Sequence, residues 1–176
     1  FSMAATSSLQ SFAPSALNQI YNIAISVGSY FITLLALGSA GGVLLGGILA
    51  AKLKVPEKIV TVCLSVTVMT CLLLATGMTP INVIPVLFIV IGLGYGIVGP
   101  SRDLLVKSAT PQGVAGSVYG IVYSGIDLGA AIGPFLFGFF MDAGLPRALF
   151  MGIACFQFMI ILTTFKVSSS IRTKLV

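Results

Sequence analysis

Charge is what this sequence has least of. Asp, Glu, Lys and Arg make up 7% of its 176 residues, where a soluble domain carries roughly 25%. So few charged side chains cannot cover a water-facing surface, and lipid must be the solvent for most of the chain. Histidine is missing altogether. Its absence removes Ser-His-Asp triads, histidine general bases and His-rich zinc sites together. Cysteine is scarce too. Cys63, Cys71 and Cys155 sit in apolar runs without CxxC spacing, so they read as small buried hydrophobes. No metal site and no cofactor is expected. The chain opens on Phe1 with no basic stretch ahead of a short apolar run; a secretory leader is not indicated, and a fragment clipped in or near a helix is expected.

What is present is apolar sequence: 57% of the residues are hydrophobic and the mean hydropathy is +1.13. Lipid offers the backbone no hydrogen bonds, so a spanning segment is a helix or part of a closed barrel. A barrel shows alternating polarity over about ten residues, and these runs are continuously apolar. The fold class expected is all-α, a polytopic bundle of six transmembrane helices.

The punctuation places them. Residues 1–51 carry no charge, too long a run for one helix; polar and small residues at Gln19–Asn22 and Gly28–Ser29 divide it. Helices are expected at about 1–20 and 30–53. Lys52, Lys54, Glu57 and Lys58 form a charged loop in which Pro56 stops propagation. The turn Gly77-Met78-Thr79-Pro80-Ile81-Asn82 separates helices at about 59–77 and 82–108. Thr110-Pro111-Gln112-Gly113 precedes a fifth helix at about 114–141. Asp142 to Pro146 turns the chain into a sixth at about 147–166, followed by a basic tail. The third and sixth runs have no wide polar face and suit extensive lipid contact.

Six alternating helices put Lys52, Lys54, Lys58, Arg102, Lys107, Lys166, Arg172 and Lys174 on one side and Arg147 alone on the other, which accounts for all nine cations. The positive-inside rule makes the first side cytoplasmic, the C-terminus included. The net charge of +5 is thus spent at helix ends. No aromatic residue is interleaved with the cations as a stacking platform, so nucleic acid is not an expected partner.

Asp127 is the strongest functional signal. It lies near the middle of the fifth helix, where a charged side chain costs about 2.5–3.5 kcal/mol on insertion scales. At 100° per residue it shares a face with Gly116, Gly120, Tyr123, Ala131, Pro134 and Gly138, and the bulky Val118, Ile121, Val122, Ile132 and Leu136 fall elsewhere. Asp127 therefore reads as a proton- or cation-coupling group or a substrate contact, with Tyr123 beside it; the bland alternative is a carboxylate bonded to a neighbouring helix as packing glue. Gly125, Gly129 and Gly133 repeat every four residues on the other side, a spacing that suits close helix packing. Pro134 then adds a bend. The fourth helix carries Gly92, Gly94, Gly96, Gly99 and Pro100, which suits close packing or a hinge. Tyr95, Gly99 and Arg102 share a face, so Arg102 either reaches a cavity as an anion-binding group or snorkels to headgroups. Asp103 and Lys107, four apart, are expected to pair. In the first helix Gln10, Ser11 and Asn18 are candidate cavity-lining polar groups.

Gly92-Leu-Gly-Tyr-Gly-Ile-Val-Gly-Pro-Ser-Arg-Asp103, Ala109-Thr-Pro-Gln-Gly-Val-Ala-Gly116 and Gly125-Ile-Asp-Leu-Gly-Ala-Ala-Ile-Gly-Pro134 together resemble the fourth-to-sixth helices of a major facilitator superfamily half. The segment ending in Gly133-Pro134 is similar to that family's antiporter-type motif. Gly46-Gly47-Ile48-Leu49-Ala50-Ala51-Lys52-Leu53 resembles its cytoplasmic loop motif; Gly47 and Lys52 match, and Ala51 stands where the family has an acid. The resemblance implies helices seven to twelve of a twelve-helix secondary transporter in the cytoplasmic (inner) membrane. It also implies an absent N-terminal half as partner, a small-molecule substrate, proton coupling, possible efflux antiport, and an outward-facing third and sixth helix. An enzyme would need a cluster of nucleophiles, bases or metal ligands at membrane depth, which one acid does not make. A non-transporting receptor or assembly partner on the same fold is the alternative.

Overall fold

The computed structural model describes residues 2–53, 56–110 and 113–174. Lys54, Pro111 and Gln112 lie outside them, as do the side chains of the basic tail. The described residues form α1 (Ser2–Tyr21), α2 (Ile25–Leu53), α3 (Pro56–Thr76), α4 (Ile84–Ala109), α5 (Ala115–Asp142) and α6 (Pro146–Lys174), with a 3-10 turn at Ile81–Val83 leading into α4. No strand occurs among them. Five helices, α2 to α6, are long and apolar enough to cross a membrane. The Ser, Gln and Asn side chains of α1 leave it less apolar than the rest.

Two boundaries differ from the sequence-based expectation, each for a physical reason. The second helix begins at Ile25, not near residue 30. Gly28 does not break it. A Cβ there would run into the backbone of Pro14 on α1, so the missing side chain serves close approach of two helices. The sixth helix runs past residue 166 to Lys174, because Val167 to Lys174 contains no glycine or proline to end it. Pro56, expected as a stop, instead opens α3, where proline's missing N–H goes unused anyway. Gly77 and Gly144 close helices α3 and α5 at φ +73° and +70°, a conformation other residues adopt at a cost.

The packing is nearly symmetric on exchanging α1–α3 with α4–α6. Helix α2 lies on α4 as α5 lies on α1; α3 lies on α4 as α6 lies on α1; α3 and α6 pack on each other. The symmetry fails at one place. Helices α1 and α2 are in contact, whereas α4 and α5 barely touch among the described residues. The main core joins Leu9, Leu17, Phe88, Phe137, Phe150 and Ile153, all fully or nearly fully buried.

Glycine sets the tightest of these contacts. Gly38, Gly42 and Gly46 on α2 repeat every four residues and seat against Ile89, Leu93 and Ile97 of α4, while Gly92 and Gly96 of α4 seat against Leu35 and Ser39. Backbones meet directly there, and dispersion replaces side-chain interdigitation. The residues left uncovered lie mainly on α2 and α5: 22% and 17% of their apolar windows are buried, against 44% for α3 and 33% for α6. Within these six helices the open faces are therefore on α2 and α5, because α3 and α6 cover each other.

The α1–α2 corner rests on one side chain. Asn18 Nδ2 donates to the Ile23 carbonyl at 2.9 Å, spanning Asn22, which sits at φ +54°. Asn18→Leu is expected to cost about 1 kcal/mol, the net worth of such a bond, visible as a lowered thermal midpoint; Asn22→Gly is expected to leave it unchanged or raised.

Candidate functional site

The open face of α5 carries Asp127. It is the thirteenth of 28 residues in that helix, and its side chain is exposed. Among the described residues it makes no hydrogen bond and no ion pair. The packing-glue reading thus finds no partner among the described residues. Tyr123, one turn away, is 45% exposed and stacks on Tyr119 with ring centroids 6.1 Å apart. Gly116, Gly120 and Ala131 on the same side are exposed as well. A strip of small and polar groups therefore runs along α5 between its packed side and its bulky apolar side.

The packed side holds the strip in place. Gly133 seats on the backbone of Ala4, and Ser7 Oγ donates to the Ala130 carbonyl at 3.2 Å. Phe137 and Met141 are buried below. Of the three repeating glycines, Gly133 alone is fully buried; Gly129 is half-buried, and Gly125 is exposed with open space where a Cβ would stand. Pro134 lies within a helix that continues on both sides of it. The close-packing glycine repeat belongs instead to α2, at Gly38, Gly42 and Gly46, where its partner is α4.

Gln10 and Ser11 are exposed on α1. Asn18 is not part of that surface, its amide being spent on the corner. Arg102 is half-buried and bonds Asp103 Oδ1 through Nε at 3.3 Å and through Nη2 at 3.1 Å. Asp103 therefore pairs with Arg102, not with Lys107 as its spacing suggests. Two guanidinium N–H groups thus converge on one carboxylate oxygen, and charge-assisted bonds of this kind are the stronger ones. Asp103 and Lys107 instead line a cavity of about 370 Å³ with Gly47, Pro100 and Tyr119, where α2, α4 and α5 converge. Gly47 and Gly99 have nothing near where a Cβ would stand, and Lys52 is exposed in the last turn of α2. On the α6 side of α4, Arg102 lines a second cavity of about 360 Å³ with Val118, Val122 and Ile160. The gap between α4 and α5 thus carries a cavity on either side.

Tyr95 points elsewhere. Gln157 of α6 is fully buried, and its Nε2 donates to the Tyr95 hydroxyl at 2.6 Å. Gln157 Oε1 is buried with no hydrogen-bond partner among protein groups, a condition that costs about 1–3 kcal/mol if nothing fills it. Gln157 was invisible in the sequence because it stands between Phe156 and Phe158 in a run with no polar periodicity. No group of three or more potential metal-ligating side chains occurs among the described residues.

Five apolar helices long enough to span a bilayer, packed through glycine, define an integral multi-pass membrane protein. The family model for the Major Facilitator Superfamily matches residues 1–173, and the chain belongs to that family. Its 176 residues fit one six-helix half of such a protein. Neither the curated proteins nor the solved structures compared with it gave a match.

Proposed function

We propose that this chain is the C-terminal half, helices seven to twelve, of a proton-coupled secondary transporter that moves a small molecule by alternating access, in the manner of an efflux antiporter. It sits in the cytoplasmic (inner) membrane with its C-terminus in the cytoplasm. Asp127 carries the reading: an ionisable group at mid-helix, on an open face and without a partner among the described residues, is costly unless something passes beside it. The uncovered faces of α2 and α5 supply the surface on which an N-terminal half would close the path. The broken symmetry of the bundle supports alternating access. The two three-helix units differ in their contacts, α1 on α2 but not α4 on α5, and α2 on α4 more extensively than α5 on α1, and a transporter built of repeats changes state by rocking one repeat or bundle against the other. By the distribution of cations, the ends of α4 and α5 joined by residues 110–114, with the cavities lined by Lys107 and Arg102 beside them, face the cytoplasm.

The test is flux in proteoliposomes holding the full-length protein, with an imposed pH gradient and a trapped pH-sensitive dye. Lipophilic cations, neutral sugars and organic anions are added in turn. At least one class is expected to collapse the gradient faster than in protein-free vesicles. No response from any class, with folded protein present in both orientations, would remove proton coupling, and the receptor reading would then take its place.

A further inference from the structure

A buried polar pair at mid-depth joins α4 and α6. Tyr95 is the twelfth residue of α4. Gln157 is the twelfth of the 19 residues in the apolar span of α6, which runs from Pro146 to Thr164. Gln157 Nε2 donates to the Tyr95 hydroxyl at 2.6 Å, which leaves Oε1 buried and without a protein partner. An unmatched acceptor therefore lies beside a tyrosine that is itself only partly buried.

We propose that Gln157, with Tyr95 as the group that covers it, forms a hydrogen-bond-acceptor subsite for an N–H or O–H group of the transported molecule. The inference rests on the transport reading above. Sites in transporters of this construction lie near the midplane, which is the depth of this pair. A site built to accept a donor rejects an analogue that lacks one far more strongly than an apolar pocket rejects a methyl group. Tyr95 acts as a positioning residue: its hydroxyl holds the amide, and rotation of its ring opens the acceptor to the path.

The full-length protein, labelled with ¹⁵N-glutamine in nanodiscs, provides the test. The Gln157 side-chain signal is identified by its loss in Gln157→Met. The probes are methylammonium, which has N–H donors, and tetramethylammonium, which has the same charge and none. Methylammonium is expected to shift the signal saturably and tetramethylammonium to leave it unmoved; Tyr95→Phe should change the midpoint of the methylammonium titration. Equal responses to the two probes, or none, overturn the subsite. Magnetisation transfer from water to the amide that methylammonium does not displace would make this a structural hydration site only, and overturns it too. Saturable binding of methylammonium by a protein that shows no flux would leave the subsite standing and overturn the transport reading.

Discussion

Gly92→Ala is expected to destabilise the bundle by about 1–3 kcal/mol, while Gly125→Ala in the next helix is expected to be neutral or slightly stabilising. A Cβ on Gly92 would collide with the Leu35 carbonyl oxygen, and its other near neighbours are also backbone, Leu35 C and Ser39 N. A flexible side chain could swing aside; a helix backbone cannot without moving the helix. Gly96 meets Ser39 and Val43 in the same way one turn on. The two positions share one contact surface, so Gly92→Ala with Gly96→Ala should not cost the sum of the single changes. Once α2 has been pushed off α4, the second methyl has less left to disturb. Gly125 has nothing within 4 Å of its would-be Cβ, and alanine in a helix is favoured over glycine by about 0.8–1.0 kcal/mol. The measurement is the monodisperse fraction surviving a temperature ramp in detergent, read by size exclusion. If Gly92→Ala survives as well as the parent, α2 and α4 are not in backbone contact and the described packing is wrong.

The contrast between those glycines shows where sequence reading stops. Helix count and class were legible because lipid leaves so few options: an uncharged run long enough to span must be helical, and Gly77, Pro80 and Gly144 interrupt the runs in a recognisable way. Helix pairing was not legible. Gly125, Gly129 and Gly133 and the trio Gly38, Gly42 and Gly46 have the same spacing, yet only the second trio is gripped by a neighbour along its whole length. Spacing says that a face is small; only the fold says what lies against it. Gly28 was read as a break for the same reason. The mid-helix acid was plain because the bilayer makes any charge conspicuous. Gln157 carries no charge, so its burial beside Tyr95 became visible only when α4 and α6 were brought together. Asn18 looked like a lining group and is a corner fastener. The preference of Asp103 for Arg102 over Lys107 depends on side-chain geometry that i,i+4 spacing does not encode.

Asp127→Asn should separate folding from coupling more cleanly than any other change. Asparagine keeps the shape of the side chain and cannot carry a charge or exchange a proton. Among the described residues the exposed carboxylate has no partner, so the change should shift stability by no more than about 0.5 kcal/mol, as for a surface position. Binding of a substrate and binding of a proton, if linked through this group, are linked by a coupling free energy that ordinarily amounts to about 5–150-fold in affinity. Removing the group removes that factor. Accumulation driven by a pH gradient is then expected to fall by about the same 5–150-fold, while exchange of labelled for unlabelled substrate, which needs no net proton movement, continues. Tyr123→Phe, on the same strip, keeps the stack on Tyr119 and should change substrate affinity without abolishing coupling. The decisive comparison is gradient-driven uptake against exchange in one preparation. Equal loss of both in Asp127→Asn, with the thermal midpoint unchanged, makes Asp127 a substrate contact. Loss of neither means the carboxylate has no part in transport. Only the first process failing identifies it as the group through which the proton gradient acts.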